Sequence, residues 1–395
     1  MSTGPRGEGP VLGVLGGGQL GRMLAEARPD VRFRFLDPSP EACAGARGEL
    51  IVAAYDDPEA LDRLADGVVA VTWEFENVPV RALEHLEARG VPVRPGPASL
   101  RLSGDRVREK QAFEAAGLAV APWRAVDGPG DVAAAFDAVV DRGADEPAAM
   151  LKARSGGYDG KGQATVRSAD PAEAEAAWAR IGGVPAILER RVPFGRELSI
   201  AAVRGTDGTV RVLPPAQNEH VEGILHRTFA PADVDPPVLD RLRAAVRRFA
   251  AELDHVGILV IELFDAGGTL LANEVAARVH NSYHWTIGGA DPSQFDLHVA
   301  AVLGERVAGS VPDEPATVAS IAPVAMINLV GTVPDASRLA LRPGSTLHLY
   351  GKSPRPGRKL GHVNVRGGGP AEVRAEADRI GGLALAARGD VRHED

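Results

Sequence analysis

The chain has 395 residues, 45% of them hydrophobic and 25% charged, and a formal net charge of −9 at pH 7. This acidic balance argues against general nucleic-acid binding, which needs a basic surface, and the single cysteine excludes an internal disulfide. No apolar run reaches the roughly 18 residues of a membrane-spanning helix, and the first ten residues lack the apolar stretch of a signal peptide. We therefore expect a cytoplasmic protein of two or three domains, with neither a nucleic-acid nor a membrane partner.

The first hundred residues alternate between short apolar strands and helices. Strands are predicted at 11–16, 33–37 and 68–74, with a helix after the first strand and further helices at 79–89 and 105–116. Alternation of this kind favours a parallel sheet with helices on both faces. A Pro- and Gly-rich stretch at 94–99 predicts a boundary after this unit.

The remaining chain has the pattern of an α+β protein. A helix is predicted at 131–142, followed by strands at 148–153, 163–166, 186–192 and 197–204. From 209 to about 310 strands dominate at first, notably in an apolar hairpin around Gly267-Gly268. A helix at 294–303, short strands at 326–331, 346–351 and 358–365, and a helix at 370–382 follow. The expected fold class is therefore α/β and α+β, in several domains.

Lysine is scarce in this chain. Of the 44 basic residues five are lysines and the other 39 are arginines; the lysines are Lys110, Lys152, Lys161, Lys352 and Lys359. A compact, rotatable ammonium can serve where a planar guanidinium cannot. Each lysine is therefore a candidate functional residue, although composition alone could also account for any one of them, and the sequence indicates no role for Lys110.

A glycine turn connects the first predicted strand to the first helix. The segment Gly16 to Gly21 fits the pattern G-x-G-x-x-G, and Asp37 ends the next strand. Such a turn lets backbone N–H groups and a helix N-terminus approach a phosphate. The motif leaves two interpretations open, an NAD-dependent Rossmann enzyme and a tight strand–helix turn without a ligand.

A second glycine-rich loop runs from Lys152 to Gln163 between two predicted strands. It is not a Walker A sequence, because Lys161 is followed by Gly162. Glycines around Tyr158, Asp159 and Lys161 predict a flap that folds amides and an ammonium over phosphates. An ordinary long hairpin turn is the alternative.

Two glutamates interrupt the apolar strands of one hairpin. A carboxylate in such a strand is unfavourable unless it is paired or binds a cation. An odd-length loop would place Glu262 and Glu274 on the same sheet face, nearly opposite each other. With Asn273 they would offer oxygen ligands to Mg²⁺ or Mn²⁺, completed by waters and phosphates. The alternative is that each carboxylate pairs with a buried arginine.

Two polar segments follow this hairpin. Arg278, His280, Asn281 and His284 lie directly after its second strand. No third zinc ligand is evident beside the two histidines, so the segment favours anion and amine binding. The segment from Lys352 to His362 is a basic loop stiffened by two prolines, which predicts a preorganised phosphate site or else a solvated surface loop.

Together these segments resemble the ATP-grasp superfamily and, within it, the N5-carboxyaminoimidazole ribonucleotide synthetase family. The matching segments, in order from about residue 11 to 365, are GGGQLGRM, TWEFENVP, Asp105-Arg106, GGYDGKGQ, NEHVEGI, NEVAARVHNS, SQF and RPGRKLGHVN. The resemblance implies three domains: a Rossmann-like domain at 1–104 without a dinucleotide, an ATP-grasp domain at 105–310 with a lid at about 122–196, and a small C-terminal domain at 311–395.

The resemblance also implies an activity, that of an ATP-dependent carbon–nitrogen ligase of purine biosynthesis. ATP would phosphorylate bicarbonate to carboxyphosphate, and the exocyclic amine of 5-aminoimidazole ribonucleotide would take up the carboxyl group, leaving ADP and phosphate. ATP, Mg²⁺ (or Mn²⁺) and a homodimer are implied as well. The alternatives are another ATP-grasp ligase, such as a formate-dependent purine formyltransferase, and the NAD-dependent Rossmann enzyme.

Site residues are implied by the same resemblance. Expected nucleotide contacts are Arg106, Lys152, Gly157, Gly160, Lys161, Gly162, Gln163, Glu189, Val192, Glu197, His220 and Asn273, with Glu197 on the ribose hydroxyls. Metal ligands would be Glu262 and Glu274. Residues expected to act on bicarbonate and the aminoimidazole are Tyr158, Asp159, Arg278, His280, Asn281 and Lys352, and expected substrate contacts are Gly18, Gln19, Leu20, Glu76, Arg355 and Arg358. Glu74 is an alternative to Glu76.

The chain departs from the family pattern after Asn281. Tyr283 stands where the family often has a glycine, and Ala277 and Val279 replace prolines. A positive φ at the glycine position would strain a tyrosine there, so the geometry of this loop is a point for the structure to decide.

Overall fold

The computed structural model describes residues 9–157, 162–307 and 322–390. Its N-terminal part is built from four strands and five helices: β1 (Val11–Leu15), α1 (Gln19–Ala27), β2 (Arg32–Asp37), β3 (Glu49–Val52), α2 (Pro58–Ala65), β4 (Ala70–Trp73), α3 (Val80–Ala88), α4 (Pro97–Ser103) and α5 (Arg106–Ala115). The strands form one sheet in the order β3-β2-β1-β4, and every pairing is parallel.

The expected parallel sheet is thus present, but one strand and two helices of this part of the chain were not predicted from the sequence. β3 has only four residues, of which Ile51 alone is buried, and it lies at the sheet edge, so its hydrophobic signal is short. The helices α2 and α4 were missed too, although a proline at the start of each is a recognised helix-initiating signal.

A second, small sheet follows. Its elements are β5 (Trp123–Val126), α6 (Pro129–Val139), β6 (Ala149–Ala153), β7 (Gln163–Val166), α7 (Pro171–Arg180) and β8 (Ala186–Arg190). The strand order is β5-β8-β6-β7, with antiparallel pairing throughout. The predicted flap connects β6 to β7 and includes residues 158–161, which lie outside the described part of the chain.

The remaining elements form a large sheet with its helices. They are β9 (Arg196–Arg204), β10 (Val210–Val212), β11 (Ala216–Val221), β12 (Ile224–Ala230), α8 (Pro236–Glu252), β13 (Gly257–Ala266), β14 (Thr269–Ala276), α9 (Thr286–Gly289), α10 (Gln294–Leu303), β15 (Val324–Val330), α11 (Ala336–Leu339), β16 (Ser345–Leu349), β17 (Lys359–Arg366) and α12 (Pro370–Asp390). Helix α8 was missed, although its buried residues, among them Leu242, Val246 and Phe249, have helical spacing.

The sheet order is β14-β13-β9-β11-β12-β15-β17-β16, with β10 on β9. The C-terminal strands therefore continue the central sheet through the antiparallel pair β12–β15. One of the hydrophobic clusters contains Leu24 of α1, Phe295 of α10 and Met326 of β15, all fully buried, so this cluster connects the N-terminal, central and C-terminal parts. None of the helices in the described ranges combines the length and apolar character needed to cross a bilayer.

Candidate active site

The glycine turn after β1 is filled by carboxylates of the chain itself. The Gly18 and Gly21 N–H groups donate to Glu74, which follows β4, and the Gly17 N–H donates to Asp37 at 2.8 Å. Burial raises the pKa of Glu74, against the opposing effect of the two amides. The amides that a dinucleotide phosphate would use therefore already have anionic partners, which argues against the NAD-dependent alternative.

Gly16 is required for this arrangement. Its φ is +108°, and a Cβ at this position would lie 2.3 Å from Cγ of Glu74. Any side chain would therefore displace Glu74 from the turn.

A cleft of about 1250 Å³ lies between the small sheet and the large sheet. It brings together many of the residues predicted from the sequence: Arg106, Lys152, Gln163, Glu189, Val192, Glu197, His220, Glu262, Asn273, Glu274, His280 and Asn281. These residues come from seven strands, one helix and two connecting segments.

Cations and one buried carboxylate form the floor of the cleft. Lys152 pairs with Glu189, and its Nζ donates to Oδ1 of Asn273 at 2.9 Å. Lys110 pairs with the same carboxylate at 2.9 Å. Although burial opposes ionisation, the ammonium groups of Lys152 and Lys110 lower the pKa of Glu189 to about 2. The Glu189 side chain therefore holds two lysines in place, a role that the sequence did not indicate.

The two hairpin glutamates face each other across β13 and β14. Glu262 is the register partner of Glu274. The turn between them is an even, two-residue Gly267-Gly268 turn, so the odd-length loop expected from the sequence is wrong. A β-bulge on β14 places the two glutamates opposite each other instead: Asn273 is the extra residue between the pairs Glu262–Glu274 and Leu263–Ala272.

The two carboxylates differ in their surroundings. Arg106 donates to Oε2 of Glu274 at 3.2 Å. Desolvation in the cleft acts to raise the pKa of Glu274, but the positive charges of Arg106 and Lys152 outweigh it and lower that pKa. Glu262 has no arginine partner among the contacts in the described ranges; His280 lies 3.7 Å away. Desolvation and the nearby Glu274 raise the pKa of Glu262 to about 7.

This pair fits a divalent cation. Two facing carboxylates of like charge are an unfavourable arrangement that a hard cation with oxygen ligands would relieve. The alternative, in which each carboxylate pairs with a buried arginine, applies to Glu274 but not to Glu262. Among the described residues no group of three or more His, Cys, Asp or Glu side chains is arranged to hold a metal, so the remaining ligands would have to come from water and a bound substrate.

The wall beside this pair carries Glu197 and His220, on the neighbouring strands β9 and β11. Nδ1 of His220 lies 2.6 Å from a Glu197 oxygen. Although burial opposes protonation, this hydrogen bond raises the pKa of His220. The pair presents a carboxylate and an imidazole towards the cleft.

The segment after β14 holds its polar groups rigidly. Oε1 of Gln294 accepts from the His280 N–H at 3.0 Å, and Nε2 of Gln294 donates to the His280 carbonyl at 2.9 Å. Burial and the nearby Arg278 lower the pKa of His280 well below 6.5, so this imidazole is neutral at pH 7. The side-chain amide of Asn281 has no hydrogen-bond partner within the described structure, as expected for a group that binds a ligand.

Tyr283 does not strain this loop. Its φ is not among the positive values of the chain, and its fully buried hydroxyl donates to the Pro214 carbonyl at 2.8 Å. His284 is fully enclosed and bonded to Gln294, so it is a core residue.

The remaining predicted substrate residues lie where the N-terminal sheet meets the C-terminal strands. Arg278 pairs with Glu76 at 2.7 Å, and Lys352 donates to the Gln19 side chain. The two candidates Glu74 and Glu76 thus differ: the first is turned into the glycine turn, the second towards Arg278. Arg358 bonds Ser353, while Arg355 is exposed.

Other predicted positions give less information. Leu20 is buried in α1 and Gly18 precedes that helix. Of the flap residues, Gly157 and Gly162 are described, while Tyr158, Asp159, Gly160 and Lys161 lie outside the described residues.

Three family models match the chain in sequence. They describe a ribonucleotide synthetase preATP-grasp domain at 10–104, an ATP-grasp domain at 111–295 and a phosphoribosylaminoimidazole carboxylase C-terminal domain at 324–376. The first matches the part that forms the parallel sheet, the second spans the small sheet and β9 to β14 of the large sheet, and the third spans β15 to β17 of the same large sheet.

Individual relatives indicate the same kind of protein as the family models. The chain is 42% identical to an N5-carboxyaminoimidazole ribonucleotide synthase of Pseudomonas aeruginosa over 374 residues, 94% of this chain and 99% of that protein. It is 43% identical to the N5-carboxyaminoimidazole ribonucleotide synthetase structure from Thermus thermophilus, with a TM-score of 0.84 and coverage of 94% and 98%. An Aspergillus clavatus enzyme in complex with ADP and 5-aminoimidazole ribonucleotide is 26% identical, with a TM-score of 0.82 and coverage of 96% and 99%. The chain therefore belongs to the N5-carboxyaminoimidazole ribonucleotide synthase family of ATP-grasp ligases.

Proposed function

We propose that this enzyme carboxylates 5-aminoimidazole ribonucleotide with bicarbonate at the expense of ATP, by way of carboxyphosphate. The observation that carries the proposal is the single cleft that joins the cations Arg106 and Lys152 to the Glu262–Glu274 pair. The unpartnered Asn281 amide lies at the same cleft. Phosphate-binding cations, a divalent-cation site and a free polar group for an acceptor substrate are the parts that this reaction requires.

The cations act on the phosphoryl group. Transfer from ATP to bicarbonate joins two anions, so Lys152 and Arg106 offset negative charge as the phosphoryl group moves. Lys152 is suited to this because Glu189 and Asn273 fix its ammonium before the substrate binds. Loss of one such preorganised group typically removes ~3–4 kcal/mol of transition-state stabilisation.

The nucleotide would lie between the lid, at about 122–196, and the central sheet. Backbone groups from Glu189 to Val192 would line the adenine, and Glu197 would accept from the ribose hydroxyls. Glu262 and Glu274, with Asn273, would hold Mg²⁺ (or Mn²⁺). A bound Mg²⁺ would neutralise charge on the phosphate oxygens.

The acceptor substrate would occupy the side of the cleft formed by Arg278, His280 and Asn281. The neutral His280 can donate one hydrogen bond and accept another without adding charge. Lys352 and Arg358 would bind the ribonucleotide phosphate, which the contact between Lys352 and Gln19 at the glycine turn supports. The family resemblance implies that Tyr158, Asp159 and Lys161, which lie outside the described residues, act on the reacting groups, and closure of the site would exclude water from the short-lived carboxyphosphate.

Phosphate release from ATP in the presence of Mg²⁺ tests the proposal. We expect release to depend on both bicarbonate and 5-aminoimidazole ribonucleotide. Phosphate release with neither dependence would refute it. Formate in place of bicarbonate distinguishes the formyltransferase alternative, which predicts activity with formate. Sedimentation of the purified protein tests the homodimer that we also propose.

A further inference from the structure

Lys110 is the one lysine for which the sequence indicates no role, and it is buried beneath the cleft. Its side chain is 1% exposed. Three oxygens surround its ammonium: the carbonyl of Ala272 at 3.3 Å, the carbonyl of Asn273 at 3.1 Å and Oε2 of Glu189 at 2.9 Å. An ammonium buried to this degree requires such partners.

The two carbonyl contacts lie beside the metal-binding glutamate. Ala272 and Asn273 directly precede Glu274 in β14, and the next residue, Val275, donates its N–H to Oε1 of Glu109 at 2.8 Å. Two consecutive side chains of α5 therefore hold the main chain of β14 on both sides of Glu274. Glu109 is 2% exposed, so neither contact is open to solvent.

The position of β14 explains why these contacts matter. β14 is the first strand of the large sheet, and in the described structure its outer edge is paired only by a single bridge, in which the Ala272 N–H donates to the Ala119 carbonyl at 2.7 Å. Asn273 is also the extra residue of the bulge that sets Glu274 opposite Glu262. A bulge at a sheet edge has fewer ladder hydrogen bonds to hold it, and side chains of α5 supply partners for the Ala272 and Asn273 carbonyls and the Val275 N–H.

The third contact reaches the cation side of the cleft. Glu189 pairs with both Lys110 and Lys152, and Lys152 donates to the side chain of Asn273. Lys110, Glu189, Lys152 and Asn273 thus form a closed ring of contacts. In this ring Lys152 provides the phosphate-binding ammonium, and Asn273 belongs to the main chain that continues directly into the metal ligand Glu274.

We infer that Lys110 is a positioning residue that sets the Glu274 carboxylate and the Lys152 ammonium at a fixed distance for the metal–nucleotide complex. A compact ammonium can approach three oxygens in three directions, whereas a guanidinium is planar. This accounts for a lysine here in a chain whose basic residues are otherwise mostly arginine. The inference rests on the proposed function, because it concerns the same metal–nucleotide site.

The affinity of the protein–ADP complex for Mn²⁺, measured through the electron paramagnetic resonance signal of free Mn²⁺, tests the inference without catalysis. For Lys110→Met, which keeps much of the volume and removes the donors, we expect Mn²⁺ affinity to fall 10- to 100-fold, the usual effect of losing a partner that orients a metal ligand. The KM for 5-aminoimidazole ribonucleotide should stay within twofold of wild type. Unchanged Mn²⁺ affinity would overturn the inference.

Arg108→Met is the matched control. Arg108 lies on the same helix, its side chain is 59% exposed, and the change removes the same charge. We expect wild-type Mn²⁺ affinity. A loss equal to that of Lys110→Met would mean that net charge alone is responsible, which would also overturn the inference.

A second background separates positioning from simple charge balance. Lys110→Met leaves Glu189 with one ammonium fewer, which could unfold the protein, whereas Lys110→Met/Glu189→Gln restores the net charge of the trio with Lys152. We expect the double variant to bind Mn²⁺ at least tenfold more weakly than Glu189→Gln alone. If the effect of Lys110 disappears in this background, the residue serves only to neutralise Glu189 and the inference fails.

These outcomes are separate from the proposed function. A wild-type protein that binds Mn²⁺ and ADP but releases no phosphate with bicarbonate and 5-aminoimidazole ribonucleotide would refute the proposed function alone. An active wild type with an unaffected Lys110→Met variant would refute the inference alone.

Discussion

Replacing Glu274 by glutamine separates catalysis from stability at the carboxylate pair. The change keeps an oxygen that can accept a hydrogen bond from Arg106, whose guanidinium lies 3.2 Å from Oε2 of Glu274 in the wild-type structure, and it removes the negative charge. We expect turnover to fall by roughly 10²–10³, equivalent to ~3–4 kcal/mol, because one of the two charges that hold the cation at the phosphates is lost.

Stability should change little. The Glu274 side chain is 40% exposed, and its ion pair with Arg106 is therefore worth at most about 1 kcal/mol. Removing its charge also relieves repulsion of Glu262, the nearest carboxylate across the strands. We therefore expect the free energy of unfolding to stay within about 1 kcal/mol of wild type in a chemical denaturation experiment without metal.

Phosphate release at saturating bicarbonate, ATP and ribonucleotide is the activity measurement. Glu49→Gln is the control, because Glu49 also pairs with an arginine, Arg34 at 2.7 Å, but lies on β3 away from the cleft. It should retain full activity. A Glu274→Gln enzyme with more than about a tenth of wild-type turnover, or one that is largely unfolded, would refute this account of the pair.

Three further predictions concern other parts of the molecule. Asn281→Ala should lower kcat/KM for 5-aminoimidazole ribonucleotide without lowering the melting temperature, because its buried amide has no partner within the described protein; a stability loss with normal kinetics would contradict this. Tyr283→Phe should cost about 1–2 kcal/mol in denaturant unfolding, because the Pro214 carbonyl loses its donor; an unchanged midpoint would contradict the anchoring role. Burial lowers the pKa of His255 from 6.5 to about 4. Between these pH values the unfolded state binds a proton at His255 that the folded state does not, so the free energy of unfolding falls as the pH drops from about 6.5 to 4, by up to about 3 kcal/mol from this residue. His255→Gln should reduce that loss in unfolding curves at pH 4.5 and 7, and an identical pH dependence would contradict the assignment.

Sequence reasoning reached the site residues where chemistry and local spacing coincide. Glu262 and Glu274 were recognisable because carboxylates in the apolar strands of one hairpin need a partner, and a hairpin brings its own strands together. Lys152 was recognisable from its place beside a glycine-rich flap. The register itself was not accessible, because it depends on a bulge at Asn273 that no turn residue signals.

Other groups could not be assigned from the chain alone, because their partners are distant in sequence. Glu74 and Glu76 are two residues apart and chemically identical, yet one caps the glycine turn and the other pairs with Arg278. Lys110 contacts residues about 80 and 160 positions later. Such contacts arise only when α5, β8 and β14 pack together.

The amino-acid sequence by itself determined the family, the order of most elements and the chemical character of the cleft, because these follow from motifs and from hydrophobic spacing along short segments. The tertiary structure alone decided which carboxylate faces which cation. Burial and proximity set the charge state of each group, and both are properties of the packed chain. The scarce lysines illustrate the difference: composition singled out Lys110, and only its three oxygen neighbours explain why an ammonium is there.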